Sequence, residues 1–289
     1  MLQFSFLRHL IILALLAISF SGNSMENPEP QSCKNNKATA EVEVIKNLRY
    51  GKTPKGIEVN SSSDRQLDLY LPKNIEGKLP VLIFIHGGGF SGGDKGAIAD
   101  LCNKISAHGI AVISINYYLT LKHEKVEGVS CSADMARGIP ANGFHPHLRK
   151  AVSNASEDTG KAMKWVKKNS KKYGFDITSV SLAGGSAGAM TALYTAYVSG
   201  QKVLPVKSVI NLWGGLENPV LVKRNAPPVL TYHGDQDKLI HIDFSYTLHK
   251  HLEKIGDTKS QLHVLENKGH AMYKLIANEK VEEIAEFLK

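Results

Sequence analysis

Eight short apolar runs alternate with helix-like segments along most of this chain, and that alternation constrains the fold more than any other feature. The runs fall at residues 42–48, 66–71, 81–86, 111–116, 179–183, 208–212, 229–232 and 261–265. Several are nearly continuous in Val, Ile, Leu and Phe, the pattern of strands covered on both faces. Helical spacing recurs at 97–108, 157–173, 187–198, 243–255 and 273–288. Such alternation predicts an α/β fold, a mostly parallel eight-stranded sheet with helices on both faces. Right-handed crossovers then gather the C-terminal ends of the strands along one edge, where open α/β sheets bind ligands. The first two runs have no helix between them, which predicts an antiparallel start.

Composition bounds the rest. The chain has 289 residues, 43% hydrophobic and 21% charged, enough for one large core domain, read here as 41–289. The net charge of +8 is scattered. Lys164, Lys167, Lys168, Lys171 and Lys172 recur at helical spacing, as on a solvated helix face, and no nucleic-acid motif accompanies them, which argues against a nucleic-acid partner. At the N-terminus, Arg8 and His9 precede an apolar run at 10–20 and then Ser21-Gly22-Asn23-Ser24. This reads as a signal peptide, 1–24, because the run falls short of the ~20 residues of a membrane span. Residues 25–40, with Pro28 and Pro30, read as a flexible lead-in. The expectation is a secreted or periplasmic protein with no membrane span after signal removal. Export permits disulfides. Cys33, Cys102 and Cys131 allow one intramolecular pair in three ways. Cys102 shares a helical face with Ile98, Leu101 and Ile105 and reads as a core thiol, and Cys33 with Cys131 is a candidate pair.

One stretch breaks the rhythm. Residues 117–154, rich in Gly, Ser, His and Lys, separate a strand from the next helix by far more than an ordinary loop. The stretch leaves the sheet at its ligand-binding edge and reads as a lid-like, substrate-binding insert, against the alternative of a surface excursion without a role.

Four strand ends carry chemistry. Gly184-Gly185-Ser186-Ala187-Gly188 joins a strand to a helix and fits a nucleophile elbow, a sharp turn that lifts a serine hydroxyl above the sheet. A capping serine in an ordinary turn is the rival reading. His86-Gly87-Gly88-Gly89-Phe90 follows a buried strand, and its backbone N–H groups suit a developing oxyanion. A phosphate-binding loop is less fitting, since neither G-x-x-x-x-G-K-[ST] nor G-x-G-x-x-G is present. His233-Gly234-Asp235-Gln236-Asp237 brings carboxylates to a third strand end, and Gly269-His270-Ala271 follows the last strand. No Cys, His and carboxylate cluster has metal-ligand spacing, so no cofactor is expected.

The serine, aspartate, histidine order, behind a His-Gly-Gly-Gly loop, resembles the α/β-hydrolase superfamily, specifically bacterial carboxylesterases. Ser114-Ile115-Asn116-Tyr117, Glu157-Asp158 and Tyr173-Gly174-Phe175-Asp176 add to the likeness, which covers roughly residues 67–289. The resemblance implies an α/β-hydrolase fold and a triad of Ser186 as nucleophile, His270 as general base and acid, and Asp237 as the orienting acid, with Asp235 shaping the turn. It implies an oxyanion hole of the Gly88, Gly89 and Ala187 N–H groups, with His86 orienting that loop. It also implies a secreted serine hydrolase that cleaves a carboxylic ester, small or borne on a polysaccharide, such as an acetyl or feruloyl ester. A serine peptidase or amidase and a catalytically silent binding protein are the alternatives. Two departures stand out. Tyr118 occupies the place where the family usually has Arg, and the spacing between His86 and Ser186 is long. The short 213–226 segment leaves no room for a large helical cap, so the insert is the expected selector, with Trp213 either a second selector or a core residue.

Overall fold

Eight strands form a single sheet in the computed structural model, which describes residues 40–57 and 64–289. The expected signal peptide, nearly all of the expected lead-in and Cys33 lie outside the described residues. Residues Thr39–Lys289 make up one compact unit. The strands are β1 (Val42–Arg49), β2 (Gln66–Pro72), β3 (Leu79–Ile85), β4 (Ala111–Ile115), β5 (Phe175–Gly185), β6 (Val209–Leu212), β7 (Val229–Gly234) and β8 (Gln261–Leu265). Their order is β1-β2-β4-β3-β5-β6-β7-β8. β2 pairs antiparallel with both β1 and β4, and every other pairing is parallel. This is the α/β-hydrolase arrangement that the apolar runs predict. β4 and β7 are buried along their whole length because helices cover both faces.

The helices are α1 (Ala99–Ser106), α2 (Thr120–His123), α3 (Cys131–Met135), α4 (Pro146–Tyr173), α5 (Ala187–Tyr197), α6 (Asp243–Lys254), α7 (Tyr273–Glu279) and α8 (Val281–Leu288). Two differ materially from expectation. α4 begins at Pro146, not at 157. Proline suits the first helical turn, where an N–H would lack a partner, and the His145 ring accepts from the His147 N–H there. The single helix expected at 273–288 is two, broken at Lys280. α4 buries Leu148, Ala151, Val152, Ala155, Ala162, Met163 and Val166 at helical spacing, while Lys164, Lys167, Lys168, Lys171 and Lys172 stand exposed on its other side. The segment 213–226 holds only a short 3-10 turn, Pro219–Leu221.

The early part of α4 shortens the irregular stretch to 116–145, and this stretch is tied down at several points. Leu121 N–H donates to Phe90 O (2.9 Å), His241 N–H to Met135 O (3.0 Å) and Phe144 N–H to Glu217 Oε1 (2.7 Å). The position that the family fills with Arg is also accounted for. Asp158, fully buried, receives Arg65 Nε at 2.9 Å, the Tyr118 N–H at 3.0 Å and Lys161 Nζ at 2.6 Å. The guanidinium thus comes from the start of β2.

Candidate active site

Ser186 sits between β5 and α5 with φ 56° and ψ −124°, a strained backbone for a non-glycine residue. The motif glycines make this turn fit. A β-carbon on Gly188 would lie 2.0 Å from Ile85 O, so the elbow helix packs directly on the end of β3. One on Gly185 would lie 2.0 Å from the Tyr273 phenol oxygen, which fills the space under the turn.

The three segments expected to supply a triad meet here. Ser186 Oγ lies 2.8 Å from His270 Nε2, and His270 Nδ1 lies 2.7 Å from Asp237 Oδ2. A carboxylate only accepts, so Nδ1 carries the proton and Nε2 faces the serine as an acceptor. The loops bearing Asp237 and His270 are stitched together by Asp235 N–H to Leu265 O (3.2 Å) and Gln236 N–H to Lys268 O (2.8 Å). Asp235 does not approach His270 through a hydrogen bond. Its Oδ1 is buried without a partner among the described residues.

Asp237 is held by more than its histidine. Oδ1 accepts from Leu239 N–H (2.8 Å) and Ile240 N–H (3.0 Å). Oδ2 also lies 3.3 Å from Nε2 of His233, a fully buried imidazole. His233 Nε2 is 2.8 Å from Ile240 O, which fixes a proton on that nitrogen, and its Nδ1 is 2.7 Å from Ser245 Oγ. Burial alone would raise the Asp237 carboxyl. The His233 and His270 hydrogen bonds, the Ile240 N–H and the His270 charge outweigh it and hold the group well below the usual carboxylate range. Sequence reasoning gave His233 no role. The only signal was its place four residues before Asp237.

The His86–Phe90 loop, expected to supply an oxyanion hole, is built from β3 outward. Gly88 and Gly89 have φ of 109° and 61°. Their N–H groups, and that of Ala187 in the first turn of α5, donate no backbone or side-chain hydrogen bond among the described residues. Ala187 N–H also lies at a helix N-terminus, which favours negative charge. Behind the loop, the His86 ring stacks on Tyr117 at 4.6 Å, and its Nδ1–H donates to Gly87 O at 2.6 Å. Burial, only partly countered by that bond and nearby carboxylates, lowers the His86 pKa. Its place is therefore that of a loop brace. Asp94 and Asn116 continue the support: Asn116 Nδ2–H donates to Asp94 Oδ2 (2.6 Å) and Lys95 N–H to Asn116 Oδ1 (2.6 Å).

A cavity of about 470 Å³ opens over Ser186 and His270. Its walls include Gly87–Gly89, Trp213, Leu239 and, from the insert, Ser130, Cys131 and Ser132. Trp213 is fully buried, with φ 46°, and meets Tyr273 edge-on at 4.9 Å and His270 at 6.3 Å. Cys131 is a buried free thiol with its Sγ 3.8 Å from Met190 Sδ, and its candidate partner Cys33 lies outside the described residues. Burial pushes its thiol up to about 12, leaving it protonated at neutral pH. Cys102 is a buried core thiol, as its helical face predicts. No group of three metal-ligating side chains occurs among the described residues, and no helix there is long and apolar enough to cross a membrane.

Comparison with known proteins agrees with this architecture. A family model described as BD-FAE matches residues 67–129 and 147–212, leaving out the middle of the insert, and a model of the prolyl oligopeptidase family matches residues 214–289. A fumonisin B1 esterase from Sphingopyxis macrogoltabida is 31% identical over 130 residues, 43% of this chain and 21% of that protein. The isoprenylcysteine alpha-carbonyl methylesterase ICME of Arabidopsis thaliana is 23% identical over 254 residues, 79% of this chain and 56% of that protein. The match thus spans about a fifth of the fumonisin B1 esterase. Among solved structures, a truncated carbohydrate esterase from gut microbiota superposes with a TM-score of 0.62 at 16% identity, covering 87% of this chain and 96% of its own. A hyperthermophilic esterase from Pyrobaculum calidifontis gives 0.61 at 20% identity, covering 86% and 85%. With its sheet order, its elbow and two family models that together cover most of residues 67–289, the chain belongs to the α/β-hydrolase superfamily, among its carboxylesterase-like members.

Proposed function

We propose that this protein is an exported serine esterase that transfers an acyl group to Ser186 and then to water. The observation that carries the reading is the unbroken chain from Ser186 through His270 to Asp237, at 2.8 and 2.7 Å, beside three unused N–H groups. Ser186 Oγ attacks the ester carbonyl while its proton passes to His270 Nε2. The oxygen that gains charge is received by Gly88, Gly89 and Ala187 N–H, where one donor is worth about 3 kcal/mol. His270 then returns the proton to the departing alcohol oxygen, leaving an acyl-serine. Water, deprotonated by the same nitrogen, releases the acid and restores Ser186. Asp237 keeps His270 in the required tautomer and stabilises its cation.

The substrate we propose is an acetyl or feruloyl ester on a polysaccharide. Its support is the signal-like N-terminus, the absence among the described residues of a large cap over the cavity, and the fold shared with a carbohydrate esterase. The match of residues 214–289 to the prolyl oligopeptidase family favours a second reading, an amidase or peptidase on the same machinery. A fluorophosphonate probe should label the wild-type protein at Ser186 and leave Ser186→Ala unlabelled. Labelling that survives the substitution removes Ser186 from the mechanism. Acetyl, butyryl and feruloyl esters assayed beside aminoacyl amides decide the bond.

A further inference from the structure

A second, smaller apolar pocket lies behind the catalytic cavity. It holds about 140 Å³ and is walled by Phe144, Val152, Met190, Tyr194, Gly215 and Leu221. At its rim Arg149 grips Glu217 through two nitrogens, at 2.8 and 2.6 Å to Oε1. The same Oε1 accepts the Phe144 N–H, so the insert, α4 and the 215–221 segment close over the pocket together.

One contact links the linings of the two spaces. Cys131 faces the catalytic cavity, Met190 faces the small pocket, and their sulfurs touch at 3.8 Å. Met190 lies one helical turn after the nucleophile, with its N–H on Ser186 O at 3.0 Å, so it stands ~5–6 Å along the helix from the reacting serine. Cys131 belongs to the stretch that the BD-FAE model leaves unmatched. The leaving oxygen must face His270 Nε2 to be protonated, so the acyl substituent extends away from that nitrogen into the cavity that Cys131 lines.

We infer that the Cys131–Met190 pair is the end wall of the acyl site and sets the length of acyl chain accepted, and that the pocket behind it is a latent extension for an aliphatic chain. This rests on the esterase reading above, in its acetyl and not its feruloyl form. The pocket has room for about four or five water-sized groups, hence for a few methylenes. Met and Cys are suited to such a wall, being apolar, and Met is adaptable in shape. Each methylene that gains a dry surface should improve kcat/KM by about fourfold.

The test is a series of p-nitrophenyl esters from acetyl to decanoyl, run on wild type, Met190→Ala, Cys131→Ala and Met190→Ala/Leu221→Trp. Wild-type kcat/KM should fall beyond short chains. Each single variant should shift the optimum toward octanoyl, and the added Leu221→Trp, which refills the pocket from its exposed rim, should shift it back. Cys131→Ala thins the wall from the insert, so the test does not depend on the elbow helix tolerating a change. A wild-type profile already flat to octanoyl, or variants parallel to wild type with acetyl turnover intact, would overturn the inference alone. Absence of acetyl-ester turnover in wild type counts against the esterase reading instead. Calorimetry of octanoate binding then decides the wall without turnover: Met190→Ala must bind more tightly than wild type and than the refilled variant, and equal binding by all three overturns it.

Discussion

Replacing Asp237 by Asn tests the centre of the site with almost no change in shape. In the wild type, Oδ1 accepts two backbone N–H groups and Oδ2 accepts His270 Nδ1–H. An amide has one oxygen for these duties. If that oxygen stays on the Leu239 and Ile240 N–H groups, the NH₂ faces His270 and drives its proton from Nδ1 to Nε2. The histidine then presents a donor to Ser186 and cannot take its proton. The expected loss in kcat is about four orders of magnitude, the scale known when a triad carboxylate becomes an amide, equivalent to about 5 kcal/mol. If the amide turns the other way, its NH₂ meets two N–H donors, at a cost in stability of about 1–3 kcal/mol. Steady-state hydrolysis of p-nitrophenyl acetate reads the first effect and urea unfolding the second. Asp235→Asn is the control: Asp235 makes no hydrogen bond to His270 and should keep activity within a few-fold. An Asp237→Asn protein that folds and retains activity within tenfold of wild type would refute the reasoning.

Acid should narrow the stability gap between wild type and Asp237→Asn. The carboxyl is depressed in the folded state, so its contribution is present above the unfolded value of about 3.9 and is lost as pH falls through the folded value. Urea midpoints of the two proteins from pH 6 downward should converge below about pH 4, and a constant gap counts against the account. Gly188→Ala should cost about 3 kcal/mol or more, since its β-carbon would meet Ile85 O at 2.0 Å and His86 O at 2.6 Å, both backbone atoms that cannot rotate away. A urea midpoint within error of wild type would show that the elbow tolerates the extra carbon.

Most of the sheet was legible because burial on both faces writes itself as unbroken Val, Ile, Leu and Phe. The motifs at strand ends were legible because the catalytic turn admits few residue types. What stayed hidden depended on the fold's third dimension. Pro146 reads as a breaker in isolation, and only the packing of Leu148, Ala151 and Val152 shows it opening a helix. His233 is a strand residue by pattern, and its ring meets Asp237 only because the intervening turn folds back. Cys131 in a polar, glycine-rich stretch reads as a loop thiol able to pair. The structure instead caps α3 there, with Ser130 Oγ accepting the Ala133 N–H, and turns the thiol inward. The missing family arginine reads as a lost ion pair, yet Arg65 supplies the same charge from 93 residues away in sequence.

The placement of Trp213 gives the protein an optical reporter of its own chemistry. The chain has two tryptophans. Trp165 is stacked on Tyr173 and tilted against Phe175, on the face of α4 that covers β5. Trp213 touches His270 and borders the cavity over Ser186. A group bound over Ser186 changes what this indole faces, so occupation of the cavity should be readable as fluorescence from one side chain. With Trp165→Phe the signal comes from Trp213 alone, and binding in the cavity can be followed without turnover.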